Sequence, residues 1–317
     1  MPGIALHLLC ASQVLRRWIR TPPAAPIAVH DPTVVDAFFQ GSLGPDMGYA
    51  FGGGRMLSDL AHGQRSGDLA RAILQESRDE MQIAYAYGWL THVLADQAIH
   101  PLINRAAGEW RGGQGAEPLT AKDDLLAHVR VEMGLDGYVG RRHTTGPDPR
   151  FVHLFDAHRL DFLSRAYRLT FGIDLSRSMM DRGPGRLRRL SPLVLAWCRI
   201  RGERSPISHS APIPGAEVTS RSTGVTSLHL AHGLLNPVPP SVWLIRGVLR
   251  EVNRFSAVYL EHASKEFRTL PNLDLDSGLP APVAIETVDR KVPPPVTSTR
   301  PGSAELEPRN PRPRRAA

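Results

Sequence analysis

Apolar residues recur along this chain mostly at helical spacing, and alternating runs closed by hairpin turns are scarce, so the pattern predicts an all-α fold with no convincing sheet. Residues 4 to 19 form the first predicted helix, with Ile4, Leu8, Ala11, Leu15 and Trp18 on one face. Asp31 followed by Pro32 marks a helix start: the aspartate caps free N–H groups, and a proline at the first position loses no hydrogen bond. That helix should run to about Gln40 and stop at Gly41. A long helical stretch follows from about Gly67 to His100, ending near Pro101, with candidate breaks at Ser77 and Gly88. Thr120 and Asp123 have the spacing of a capping box and should open a helix that Gly134 closes. Further helical patterns cover roughly 150 to 170, 187 to 201 and 241 to 268.

Punctuation then sets the domain limits. Residues 205–227 are polar with Pro, Gly and Ser throughout and read as a long loop inside a helical domain spanning 1–272. Residues 273–317 are Pro- and Arg-rich and nearly free of aromatics, the composition of a disordered tail. The chain has 317 residues and is 42% hydrophobic, enough for a sizeable core. Its apolar runs are far shorter than the ~20 residues a bilayer crossing needs. The apolar N-terminus lacks a preceding basic stretch and reads as mature sequence. With only 2 Cys, the expected compartment is a reducing cytoplasm, and any metal must use imidazole and carboxylate.

The net charge of +7 suggests nucleic acid until it is divided along the chain. Its excess comes from the tail and from the Arg-rich segment 177–204, whereas the His-rich remainder is slightly acidic, which argues against a nucleic-acid partner.

The chemistry concentrates in GWLTHVLADQAIHP, residues 88–101. His92, Asp96 and His100 follow one another at steps of four, so all three project from one side of a helix, drifting by roughly 40° per step. Apolar neighbours place that side near the core, where an ionised carboxylate is costly unless paired or metal-bound. His128 and Glu132 repeat the spacing on a second helix, and such a pair can reach one ion. Taken alone, either pair reads first as a hydrogen-bonded core histidine or a solvated helix face, because such spacing is common. GSLGPDMGY, residues 41–49, presents Asp46 on a rigid turn; LSDLAHG, residues 57–63, offers His62; and His7 lies on the first helix.

His7, GSLGPD, AHG, H-x-x-x-D-x-x-x-H-P and H-x-x-x-E, in this order, resemble the zinc-dependent phospholipase C family, an all-α fold related in architecture to the P1-type nucleases. The resemblance covers about residues 1–140. It implies two to three zinc ions: Asp46, His62, His92 and Asp96 holding one, Asp96 bridging to a second that also takes His7, and His100, His128 and Glu132 holding the third. In secreted members the mature N-terminal amine and carbonyl complete the second site, whereas no signal peptide is evident here. The resemblance further implies hydrolysis of a phosphodiester, in the named case a phospholipid, by a zinc-activated water, with Asp46 as the catalytic base. Peripheral contact with an anionic membrane fits that substrate. The alternatives are a nuclease or nucleotidase on the same cluster, or a non-catalytic helical protein with structural metals. FGGGR at 51–55, with Tyr49 and Phe51, is a weaker candidate for phosphate or choline contact; His229 and His232 favour core or supporting roles over metal binding, and the Arg cluster at 182–189 favours a solvated face over contact with anionic lipid or RNA.

Overall fold

A computed structural model of the chain describes residues 3–49, 54–142, 160–176 and 236–280, with Leu193 and Ala196 as isolated helical positions. Eight α-helices lie among the described residues: α1 (Ile4–Arg20), α2 (Pro32–Gly41), α3 (Arg55–His62), α4 (Ser66–Glu76), α5 (Glu80–Gly112), α6 (Leu125–Arg142), α7 (Asp161–Phe171) and α8 (Val242–Ser264). No strand occurs among them beyond one isolated bridge between Leu273 and Pro280, so the fold is all-α. No helix among the described residues is long and apolar enough to cross a membrane.

Helix α5 is the axis of the assembly. It contacts α1, α2, α4, α6 and α8, and every residue from Ala84 to Asp96 is buried, as expected for a helix surrounded by others on all sides. Two glycines allow the closest of these approaches. A Cβ at Gly88 would lie 1.9 Å from the Phe38 carbonyl oxygen, and one at Gly41 would lie 2.0 Å from that of Tyr85. Around this contact Trp18 meets Phe38 and Tyr259 at ring separations of 5.4 and 5.6 Å, and the Tyr259 hydroxyl donates to the Tyr87 carbonyl at 2.9 Å. Each such ring, fully buried, contributes about 1.5–3 kcal/mol. Tyr167 of α7 likewise donates to the Leu57 carbonyl at 2.7 Å, tying α7 to α3.

Local signals explain most boundaries. Asp31 caps α2 by accepting from Thr33 and Val34 N–H. The long stretch breaks at Ser77, not at Gly88, because Asp79 accepts from Gln82 N–H and starts a new helix. Ser241 caps α8 by accepting from Leu244 N–H.

Four expectations need correction. Helix α5 does not end near Pro101 but runs through it to Gly112. The missing N–H costs about 3 kcal/mol in a helix interior, yet Ile103 and Ala107 beyond it are buried, and Gly278 packs over Pro101 and the Gln97 carbonyl. The Thr120–Asp123 box forms, with Asp123 accepting from Thr120 N–H at 2.9 Å, but it closes a turn ahead of the helix, and Asp124 caps α6 by accepting from Ala127 N–H. Gly134 does not close α6; a Cβ there would lie 1.7 Å from the Val238 carbonyl oxygen, so this glycine admits a crossing strand of chain. Finally, the packed chain continues past 272 to Pro280, with Leu275 wholly buried. The expected helix at 187–201, apart from Leu193 and Ala196, the loop at 205–227 and residues 281–317 of the tail lie outside the described residues, as does most of the pattern at 150–170 before α7.

The glycine contacts give a test with opposite signs at two positions. Gly→Ala inside a helix normally stabilises by about 0.5–1 kcal/mol, and Gly137→Ala should do so because nothing lies within 4 Å of its added Cβ. Gly88→Ala should instead destabilise by about 2–3 kcal/mol through overpacking. Denaturant unfolding of the two variants measures both.

Candidate metal centre

His92 and Asp96 sit on the stretch of α5 that is buried on every face, and His100 follows one turn on. His92, Asp96 and His100 are 0%, 2% and 5% exposed. Helix α1 lays His7 against them, its ring stacked on His92 at 3.9 Å between centroids. The 3₁₀ turn Gly44–Gly48 carries Asp46, fixed by the Gly48 N–H donating to Ser58 Oγ at 2.8 Å. His62 is the last residue of α3, and α6 brings His128 and Glu132. All eight candidate side chains are buried and converge.

They form three groups whose donor atoms lie within reach of a single ion: Asp46, His62 and His92; His7, His92 and Asp96; and His100, His128 and Glu132. Asp96 joins them. Its Oδ2 lies 3.1 Å from His92 Nε2 and 3.4 Å from His62 Nε2, while its Oδ1 lies 3.3 Å from His7 Nε2 and 3.5 Å from His100 Nε2. His62 Nε2 is also 3.3 Å from Asp46 Oδ1 and 3.2 Å from His92 Nε2. In the third group Glu132 Oε1 is 3.0 Å from His128 Nε2 and 3.3 Å from His100 Nε2.

These separations suit a metal centre better than a hydrogen-bond network. A nitrogen has one proton to give, yet His62 Nε2 faces three polar atoms at nearly equal distance. Donors around a tetrahedral zinc with bonds of about 2.0–2.2 Å lie about 3.3–3.6 Å from one another, close to what is seen. Both oxygens of Asp46, Oδ2 of Asp96 and Oε2 of Glu132 are buried without a hydrogen-bond partner. A cation would satisfy them, so the residues fit such a group.

The backbone orients the rings. Nδ1 of His92 meets the Ser42 carbonyl at 3.0 Å, that of His62 the Ser58 carbonyl at 2.7 Å, and that of His100 the Leu275 carbonyl at 2.7 Å. Each carbonyl accepts an Nδ1–H, which leaves Nε2 as a lone pair pointing inward. Without a cation, protons take over the balance. Burial opposes charge on His62, but the carboxylates of Asp46 and Asp96 beside it prevail and raise it to about 10. His100 likewise rises against burial, to about 9, through Asp96 and Glu132. Burial, reinforced by His92, pushes His7 down to about 3. Burial also opposes the charges of Asp96 and Glu132, yet the surrounding imidazoles hold both well below the usual carboxylate range.

Two carboxylates escaped the sequence reading. Asp136 extends the His128, Glu132 stripe by one more turn and accepts from the N–H groups of Ala5 and Leu6 at 3.1 and 3.0 Å, capping α1 and so setting the height of His7. Its third place in the repeat was the available signal. Asp276 lies 3.9 Å from His128 Nε2, in the segment whose composition reads as tail. A pocket of about 300 Å³ opens onto His62, His100, His128 and Glu132, walled by Tyr49, Arg55, Asp59, Lys122, Asp274 and Asp276. Tyr49 and Arg55 thus stand on the wall; Phe51, His229, His232 and the Arg cluster at 182–189 lie outside the described residues.

The family model for zinc dependent phospholipase C matches residues 6–173, a span that includes all eight converging side chains. No curated protein and no solved structure matches the chain.

Zinc should therefore bind and stabilise the fold, with the thermal midpoint falling in chelator and returning when zinc is restored. Asp96→Ala should lose more than one equivalent by elemental analysis, because this carboxylate faces all three groups. Imidazolium cannot ligate, so affinity should climb as pH rises through about 9, where His100 sheds its proton, and on to about 10, where His62 does. Calorimetry in buffers of different ionisation heat reads that proton release.

Proposed function

Because the chain belongs to the zinc-dependent phospholipase C family, we propose that it is a hydrolase of phosphodiesters, most specifically of a phospholipid, giving diacylglycerol and a phosphorylated head group. One observation carries this reading. Asp96 bridges donor groups that could hold neighbouring cations, and the pocket opens onto two of those groups at once through His62 and through His100, His128 and Glu132.

When bound, zinc brings water toward a pKa of ~7 and stabilises the charge that grows on phosphoryl and leaving-group oxygens. Asp46, His62, His92 and Asp96 would hold one ion, His7 and Asp96 a second, and His100, His128 and Glu132 a third. The protein's own part is to place a proton acceptor and exclude competing water. Asp46 has both carboxylate oxygens without a hydrogen-bond partner, so one can take the proton that an attacking water gives up. Arg55 and Lys122, on the wall, present positive charge to the phosphate as it enters. Their neighbours Asp59 and Asp274 keep those cations in place through ion pairs.

Among the described residues Tyr49 is the aromatic ring on the wall, which suits a lipid head group better than a base that needs stacking partners. The N-terminal end of α1 packs Gly3 against Asp136, where a Cβ would lie 2.1 Å from Oδ1, so the chain before His7 runs close to the cluster.

The decisive assay is release of phosphocholine from phosphatidylcholine, with nitrophenol release from a model diester beside it. Activity should vanish in chelator and return with zinc. Asp46→Asn should lower kcat by about 10²-fold or more while zinc content changes less. Hydrolysis that ignores chelation would overturn the mechanism.

A further inference from the structure

The segment after α8 brings to the centre a group that the assignment above does not use. Residues 270–280 form a strap across the pocket side of α5, outside the span of 6–173 that the family model matches. The strap is bonded directly to two of the histidines. Leu275 N–H donates to the His62 carbonyl at 2.8 Å, and the Leu275 carbonyl accepts from His100 Nδ1 at 2.7 Å.

The next residue is held just as firmly. Asn104 Nδ2 donates to the Asp276 carbonyl at 2.6 Å, and Asp276 N–H donates to Asp274 Oδ1 at 3.1 Å. This fixes the backbone of Asp276, whose side chain, 14% exposed, places Oδ1 3.9 Å from His128 Nε2. Its carboxylate accepts one weak hydrogen bond, from Ala121 N–H at 3.3 Å, and the nearby Lys122 ammonium is engaged by Asp274.

We propose that Asp276 is a further protein ligand of the cation site formed by His100, His128 and Glu132, delivered by the strap. The three helical side chains supply three donors, and zinc in a catalytic site can expand to five, so a further protein ligand still leaves a position for water or substrate. A carboxylate at this distance from one of them, on a backbone already anchored to another, needs only a side-chain rotation to join them. The strap thereby acts twice on one site: through the tautomer of His100 and through the oxygen of Asp276. This proposal rests on the reading of the cluster as a zinc centre.

The experiment uses the full chain, loaded with zinc and titrated with a competing chelator. Asp276→Ala should hold one equivalent about tenfold more weakly or lose it, with the remaining zinc unchanged and helicity equal to wild type. Asp276→Cys, loaded with cobalt, should show a thiolate-to-cobalt charge-transfer band in the near ultraviolet that cobalt-loaded wild type lacks. That band also decides the matter if the alanine variant fails to fold. Wild-type zinc affinity in Asp276→Ala together with no band in Asp276→Cys would overturn the proposal. A wild-type chain that takes up no zinc removes the underlying centre instead, a distinct result.

Discussion

The carboxylate of Asp96, ionised and buried in the middle of a helical core, is the constraint on which the rest of the structure depends. No Lys or Arg pairs with it among the described residues; its neighbours are the imidazoles of His7, His62, His92 and His100. An isolated charge in such surroundings is costly by far more than a domain's net stability. The fold therefore has to bring compensating groups from α1, α3 and α5 to one point, and α6 adds a second buried carboxylate with its own imidazoles. Compensation by protons sets the histidines against one another, raising two and lowering one. Compensation by cations would satisfy all of them together.

That demand accounts for the geometry of α5. A helical stretch buried on all faces is normally apolar throughout, and Ala84–Asp96 is, apart from the side that bears the cluster and a few hydrogen-bonded residues such as Thr91. Gly88, one turn before His92 on the same stripe, and Gly41 let α2 come close against that side of α5. The carbonyl of Ser42, just past the end of α2, then accepts from His92. Packing and site are thus one arrangement: the close contact of α2 and α5 sets the distance at which His92 is held.

Much of this was legible in the chain because helical periodicity is a local property. The steps of four in His92, Asp96, His100 and in His128, Glu132 translate directly into shared faces, and Asp31–Pro32 is a helix start wherever it occurs. What escaped depended on partners distant in sequence. Pro101 and Gly134 carry strong local signals for helix ends, and tertiary packing overrides both: buried Ile103 and Ala107 continue α5, and the crossing chain at Val238 makes use of the missing Cβ at Gly134. Asp276 was hidden by composition, since a Pro-rich region reads as tail up to its start, while Leu275 alone shows that a short part of it is core. Asp136 was visible as a repeat but had no assigned partner until α1 was placed against it.

The strap has a consequence for the order in which the molecule matures. His62, His100 and Asn104 are all bonded to residues 275 and 276, which leave the ribosome long after the helices that bear the cluster. During synthesis those helices can dock and gather their imidazoles, but His100 has no carbonyl to fix its tautomer and one wall of the pocket is missing. A nascent chain is thus an unfinished chelator until residues 275 and 276 arrive to fix the His100 ring and supply the missing wall.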